Sequence, residues 1–298
     1  MKLQSTFLTA TLAGGLLASS LGMLGCIKPP PGQTPGPAPG SAASIGAAAP
    51  PAAAAPEAAA AAPAAAAAPA AAGAPAAAGP TTGGSAATAA SLKAAGFHDC
   101  GGAGLIDDGE DGQNQNIVGT DRGGYWYTFR DKKRTTIDPI AGEDGGTFAM
   151  TEEGHDSKFA ARFSGKIGTG APLFGGMGMN FVDPKDVYHS SKYAGIAFWA
   201  KTGPNSTPKV RLKVPDANTD PQGSVCTECF NDFGADLVLT PEWKFYIFPW
   251  KAMKQMPGWG APRKPHITES KIFGVQFQVN VPSAKYDIWV DDLTLFCK

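Results

Sequence analysis

The feature that most constrains this chain is a long segment, residues 27–90, built almost entirely from Ala, Pro and Gly. It contains 31 Ala, and its only charged residues are Lys28 and Glu57. Frequent Pro interrupts helix formation even within Ala runs, and a segment with so few large apolar side chains has little to bury. The segment is therefore expected to be an extended, solvated linker, and the 298 residues cannot form one compact domain.

The segment before the linker has the pattern of an export signal. Residues 1–25 begin Met-Lys-Leu, continue through an apolar stretch over 7–24 and end on a glycine. The motif at 23–26, Met-Leu-Gly-Cys, resembles the bacterial lipoprotein signal, which implies that Cys26 is acylated and becomes the mature N-terminus. A single transmembrane anchor is the alternative, since about 18 apolar residues are near the lower limit for crossing a bilayer.

These patterns predict three regions and a location. Residues 1–25 are a lipoprotein signal peptide, 26–96 are the lipidated Cys and a disordered linker, and 97–298 are the folded domain. Ile27 follows the Cys where an Asp would indicate the inner membrane, so by resemblance to the Gram-negative sorting signal the protein belongs in the cell envelope, as an outer-membrane or cell-surface lipoprotein. Its membrane contact is through the lipid anchor.

The charge of the C-terminal region excludes one class of partner. From residue 97 to the end, 22 Lys and Arg stand against 25 Asp and Glu, and no basic cluster stands out. A slightly acidic domain without a basic patch lacks the electrostatic footprint for phosphate backbones, so nucleic acid is not an expected partner. We expect a monomer.

The domain is predicted to be all-β. Short apolar runs, several with period-2 alternation, are separated by Gly, Pro, Asn and Asp, and no long helical period follows residue 97. About ten strands without crossover helices favour a two-layer antiparallel β-sandwich. The predicted strands are 125–129, 147–150, 159–164, 177–181, 195–201, 209–215, 236–239, 243–248, 271–279 and 286–296.

Alternation predicts which side chains of three strands point outward. Strand 209–215 places Arg211 and Lys213 opposite its apolar face, and strand 271–279 places Gln276 and Gln278 opposite its own. In strand 195–201 the same reasoning turns Trp199 outward, and an indole on a polar face indicates a binding role.

The domain resembles family 11 carbohydrate-binding modules, a type of galactose-binding-like jelly roll, over residues 100–298. The similar segments are 106–112 (Ile-Asp-Asp-Gly-Glu-Asp-Gly), 124–127 (Gly-Tyr-Trp-Tyr), 193–201, 242–249 and 286–292. The resemblance implies a jelly-roll sandwich with a sugar groove on one sheet face and a structural Ca²⁺ that ties the first strand to the last.

A sugar groove needs aromatic faces for the C–H side of the ring and planar polar groups for its hydroxyls. The candidate side chains are those predicted to point outward from neighbouring strands. Each candidate also has a purely structural interpretation: the aromatic side chains could fill space in the core, and the polar ones could belong to an ordinary solvated face. The candidates are Tyr127, Trp199, Arg211, Lys213, Gln276 and Gln278.

The acidic, Gly-punctuated run at 107–111 suits oxygen ligation of a hard cation. By resemblance, Asp107, Glu110 and Asp292 are the expected Ca²⁺ ligands. Solvated turn charges are the alternative, and the run does not match a helix–loop–helix calcium loop.

Four cysteines follow Cys26, and an even number in an exported protein favours disulfides. The ends of a jelly roll lie close together, which implies a Cys100–Cys297 bridge, and Cys226 would then pair locally with Cys229. A redox Cys-x-x-Cys and a four-Cys zinc site are the alternatives.

No catalytic constellation stands out, and we predict that the protein is not an enzyme. Residues 154–157, Gly-His-Asp-Ser, contain triad residue types, but sequence neighbours point in different directions. The leading hypothesis is a noncatalytic lipoprotein that binds polysaccharide or oligosaccharide at the cell surface. A structural or adhesive envelope protein with the same fold and no sugar site is the alternative, and a glycan-processing enzyme is a third.

Overall fold

The computed structural model describes residues 86–119, 121–132, 134–142 and 146–298. The signal peptide, Cys26 and most of the predicted linker lie outside these ranges. The described part contains one α-helix, α1 (Ala86–Ala94), and twelve strands. The strands are β1 (Leu105–Asp107), β2 (Trp126–Arg130), β3 (Thr136–Asp138), β4 (Thr151–Glu152), β5 (Phe159–Lys166), β6 (Gly175–Asn180), β7 (Gly195–Thr202), β8 (Lys209–Val214), β9 (Phe233–Val238), β10 (Lys244–Pro249), β11 (Gly274–Val279) and β12 (Lys285–Phe296).

The strands form two antiparallel sheets, which confirms the predicted two-layer β-sandwich. One sheet has five strands in the order β2-β6-β11-β8-β9. The other has seven, with β10-β7-β12-β5-β3 as its main path, β1 beside β12 and β4 beside β5. From β5 onward the chain crosses between the sheets at almost every connection, the pattern of a jelly roll.

The core lies between the sheets and is built from the predicted apolar faces. Val275, Phe277 and Val279 of β11 are buried, as are Ile196 and Phe198 of β7. The rings of Phe198 and Phe277 meet edge to face with centroids 4.9 Å apart, so side chains of the two sheets interdigitate.

Three local predictions were wrong. Residues 147–150 form no strand, and the short strand β4 follows them instead. Two three-residue strands, β1 and β3, were missed because so short a run shows no measurable alternation.

The predicted boundary of the folded domain was also wrong. Helix α1 lies within the range assigned to the disordered linker, and its Leu92 is completely buried in a cluster with Ala197 and Phe296. Its Thr88 is buried as well and donates a hydrogen bond to Asp292 (2.7 Å). The ordered domain therefore includes residues 86–96. No helix in the described ranges is long and apolar enough to cross a membrane.

Both predicted disulfides are present. Cys100 is bonded to Cys297 across 197 residues, and Cys226 is bonded to Cys229. Because all four sulfurs are bonded in pairs, these cysteines form neither a reduced Cys-x-x-Cys dithiol nor a zinc site in this structure.

Candidate functional site

The outer face of the five-stranded sheet carries two rows of side chains that run across all its strands. In one row Tyr127 of β2 lies beside Gly178, then Gln276, then Lys213. In the other, Phe129 lies beside Gly176, then Gln278, Arg211 and Asp236. Five of the six predicted sugar-binding residues therefore share one surface: Tyr127, Arg211, Lys213, Gln276 and Gln278.

Glycines in β6 make room for the aromatic end of this face. A Cβ atom on Gly178 would lie 2.7 Å from the Tyr127 hydroxyl, and one on Gly176 would lie 2.5 Å from the ring of Phe129. The two rings therefore lie over β6, where a larger side chain would lift them away. Phe174 continues the aromatic surface, with its ring centroid 6.1 Å from that of Phe129.

The polar end is a connected hydrogen-bond network. The Lys213 ammonium lies 3.0 Å from Asp232 Oδ2 and donates to Gln278 Oε1 (3.3 Å). The Gln276 amide donates to the Tyr127 hydroxyl (3.0 Å), and burial raises the pKa of that phenol well above its usual range. These groups are thus fixed in place before any ligand arrives.

The Arg211 guanidinium is held from two sides. It pairs with Asp236 Oδ1 (2.9 Å) and donates to the Lys254 carbonyl (2.8 Å). Arg211 and Lys213 therefore each have a carboxylate partner.

Loops form a groove of about 530 Å³ over one part of this face, at Arg211, Lys213 and Gln278. One wall is the segment 170–174, and the other combines Cys229–Asp232 with Met256 and Trp259. Asn231 joins the two parts of the second wall, since its amide donates to the carbonyls of Met256 (2.9 Å) and Trp259 (2.6 Å). The groove thus has apolar walls and a polar floor.

One oxygen in the groove has no hydrogen-bond partner. Asp232 lines the groove and is only 2% exposed. Its Oδ2 faces Lys213, whereas its buried Oδ1 has no partner among the described residues. A buried carboxylate oxygen without a donor is costly, but this atom is itself enclosed and is not open to a ligand hydroxyl in this structure.

Trp199 does not belong to this surface, and its predicted position was wrong. It lies in β7 of the other sheet, where it pairs with Asp291 of β12. Its ring stacks on His155 with centroids 3.6 Å apart, and its indole N–H donates to Thr88 (3.0 Å). Alternation correctly turned the side chain out of the core, but it could not assign the strand to a sheet.

The three predicted calcium ligands do not fit one ion in this structure. Asp107 accepts hydrogen bonds from the Trp126 indole and the Gly109 amide, and Glu110 accepts from two backbone amides at 158 and 159. Asp292 accepts from Thr88. Among the described residues, the only group of potential ligands whose atoms gather within 4.8 Å is His98, Cys100 and Cys297, and the two cysteines are bonded to each other. Calcium binding stays a prediction from the resemblance.

Burial shifts the pKa of two carboxyl groups in this region. It raises the pKa of Asp107 to about 7, and it raises the pKa of Asp291 to about 8. The Asp291 carboxylate accepts hydrogen bonds from the His155 amide (2.6 Å) and the Ser157 hydroxyl (3.0 Å).

The triad residue types at 154–157 are not arranged as a triad. The Ser157 hydroxyl donates to Asp291 and to the Phe159 carbonyl, while the His155 ring is stacked on Trp199. The geometry therefore provides no imidazole base for this hydroxyl.

Sequence reasoning missed several groove residues because they come from loops. Phe174, Phe230 and Asp232 have no periodic neighbours that would indicate a face. Trp259 was recognised as a loop aromatic, but packing beneath a loop was the favoured interpretation; it is half-buried and lines the groove. Trp250 is buried, as that interpretation predicts.

Comparison with solved structures finds carbohydrate-binding modules. The chain is similar to a family 11 module from Clostridium thermocellum in complex with a β-1,3-1,4-mixed-linked tetrasaccharide (13% identity, TM-score 0.44, 64% of this chain and 94% of that one). It is also similar to a family 30 module (10%, 0.42, 63% and 96%) and to a family 29 module complexed with mannohexaose (11%, 0.32, 65% and 89%).

All three are of the class that the sequence resembles. At these identities and TM-scores they identify neither a ligand nor a binding residue in this chain. No protein-family model matches the sequence, and a search of curated proteins found no match.

Proposed function

We propose that the chain is a noncatalytic polysaccharide-binding protein that uses the groove on its five-stranded sheet. The observation that carries the proposal is the position of Gln278 and of Arg211 and Lys213, on the adjacent strands β11 and β8, in a groove that is also lined by Phe174, Phe230 and Trp259. Ring faces for C–H groups next to planar hydrogen-bonding groups are what a pyranose requires.

The charges of the groove indicate a ligand rich in hydroxyls. Arg211 is paired with Asp236 and Lys213 with Asp232, so neither cation needs an anionic partner.

The proposal extends to location. We propose that Cys26 carries the lipid that holds the protein at the outer membrane or cell surface, and that the Ala- and Pro-rich segment gives the domain reach. The protein would act there as a monomer.

A structural or adhesive role without a sugar site is the second candidate. It is distinguished by affinity electrophoresis of the mature chain in gels that contain soluble glucans and other polysaccharides. Retardation by at least one polysaccharide supports the proposed function, and unchanged mobility across a wide panel contradicts it. Turnover of chromogenic glycosides by the purified protein would contradict the noncatalytic part.

A further inference from the structure

The outer face of the seven-stranded sheet carries an alternating row of cations and indoles. Trp289 of β12 pairs with Arg162 of β5 on one side and with Lys201 of β7 on the other. Trp243, directly before β10, lies next to Lys201. This row belongs to the sheet opposite the proposed polysaccharide groove.

The Lys201 ammonium lies against two indole rings and donates no hydrogen bond to any described residue. It lies 4.7 Å from the ring centroid of Trp289 and 4.9 Å from that of Trp243. Among the described residues it makes no hydrogen bond, and its carboxylate neighbour Glu153 is 3.9 Å away. The Lys201 side chain is 18% exposed, whereas that of Glu153 is 76% exposed. A largely desolvated ammonium with free donors favours an anionic acceptor.

Arg162 supplies a second cation on the other side of Trp289. Its guanidinium lies 4.6 Å from the ring centroid, and its Nε and Nη2 donate to the two oxygens of Asp287 (2.8 and 2.9 Å). These two hydrogen bonds join one carboxylate to one guanidinium, so Arg162 neutralises the negative charge of Asp287. Among the described residues, the Lys201 ammonium then forms an ion pair only with the solvated carboxylate of Glu153.

A cavity of about 710 Å³ opens beside these groups. Besides Arg162, Lys201, Asp287 and Trp289, its lining includes carboxylates, hydroxyls and an amide, from Glu152, Glu153, Thr151, Thr202, Ser206 and Asn205. The lining thus carries two cations and three carboxylates, of which Arg162 and Asp287 neutralise each other. Lys201 is left for one charged group once Glu153 turns away, and the neutral polar groups are left for hydroxyls.

We propose that this cavity is a second binding site, which takes a saccharide carrying an oxyanion, with its carboxylate or sulfate on Lys201 and its hydroxyls on the surrounding polar groups. The oxyanion displaces Glu153, whose exposed side chain can turn into solvent. The site does not depend on the polysaccharide groove, because it lies on the other sheet.

Tryptophan fluorescence of the mature chain tests this proposal, since a ligand on Lys201 changes the surroundings of Trp289 and Trp243. Glucuronate and glucose 6-sulfate are titrated at constant ionic strength, with glucose as the neutral comparison. A saturable change with either anion and none with glucose is expected, and a response to only one identifies the oxyanion. No change with either anion, or an equal change with glucose, would overturn the proposal.

Substitutions at the cavity test whether the fluorescence change comes from binding at this site. Lys201→Met should weaken anion binding roughly ten- to hundredfold, the usual loss for a charge-assisted hydrogen bond. Glu153→Gln removes the competing carboxylate and should tighten binding severalfold. Lys192→Met is the matched control, since this lysine also lies over a ring, that of Tyr193, outside the cavity. Equal affinities in the Lys201 and Lys192 variants, or no gain in the folded Glu153 variant, would contradict the assignment.

Discussion

Lys213 holds the polar end of the groove together at the residue scale. It is 8% exposed and connects Asp232 with Gln278. Its removal would leave the buried carboxylate of Asp232 without a counter-charge, which costs several kcal/mol in typical cases, on the order of 3 to 5. A Lys213 variant therefore reports on stability before it reports on binding, and a half-buried groove residue such as Trp259 is the better probe.

Asp291 makes the stability of the domain depend on pH. In the folded protein its carboxyl keeps a proton up to about pH 8, whereas in the unfolded chain it loses the proton near its ordinary pKa of 3.8. Between these values the folded state binds more protons, so the free energy of unfolding falls as pH rises, and the stabilisation is fully present only in acid.

We therefore expect Asp291→Asn to flatten the pH dependence of stability. The unfolding temperature is measured from about pH 5 to about pH 8 for both proteins. The wild-type value should decrease toward high pH relative to that of the variant. A wild-type curve parallel to that of the variant would contradict the assigned pKa.

At the scale of elements, strand faces were predictable and sheet membership was not. The alternation in β8 and β11 placed Arg211, Lys213, Gln276 and Gln278 on outer faces, and the structure brings these four together. The same alternation turned Trp199 outward, yet its strand belongs to the other sheet. Period-2 patterning describes one strand at a time, whereas pairing depends on long-range contacts.

Helix α1 shows a different limit of sequence reasoning. Its sequence, Ala-Ala-Thr-Ala-Ala-Ser-Leu-Lys-Ala, continues the Ala-richness of the preceding linker, and only the absence of Pro and Gly over residues 85–95 marks the change. Tertiary contacts stabilise the helix: Leu92 packs in a cluster with Phe296, and Thr88 donates a hydrogen bond to Asp292.

The Cys226–Cys229 bridge should matter for binding more than for stability. It closes only a short loop, but Cys229 and Phe230 line the groove and Asn231 braces Trp259. In the double Cys→Ser variant at 226 and 229 we expect polysaccharide affinity to fall severalfold, measured by affinity electrophoresis, with a small change in unfolding temperature.

The bridge between Cys100 and Cys297 provides the contrasting control. Closing so long a loop stabilises the folded state by about 4 to 5 kcal/mol in the chain-entropy model. Its double Cys→Ser variant should unfold at a lower temperature while the folded protein keeps its affinity. The reverse pattern in the two variants would contradict the roles given to the two bridges.

On the scale of the whole molecule, the helix and the groove lie on the outer faces of different sheets. Helix α1, through which the earlier residues join the domain, packs over Ala197 and Phe296 on the seven-stranded sheet. The groove lies on the other sheet, so α1 does not cover it.

Calcium removal tests whether an ion contributes to the fold. If the ion implied by the family resemblance is bound, the unfolding temperature should fall by several degrees in excess chelator, and excess Ca²⁺ should restore it. The same unfolding temperature in both would contradict the calcium prediction and would agree with the hydrogen bonds that Asp107 and Glu110 already accept from the protein.

The most direct test of the central claim compares two half-buried tryptophans, one in a loop that lines the groove and one in β7 of the seven-stranded sheet. For a polysaccharide that retards the wild-type chain, Trp259→Ala should lower affinity about tenfold or more, since it removes an aromatic wall of the groove. Trp199→Phe keeps a ring against His155 on the other sheet and should bind like the wild type. If Trp259→Ala binds unchanged while Trp199→Phe loses affinity, the groove on the five-stranded sheet is not the polysaccharide site.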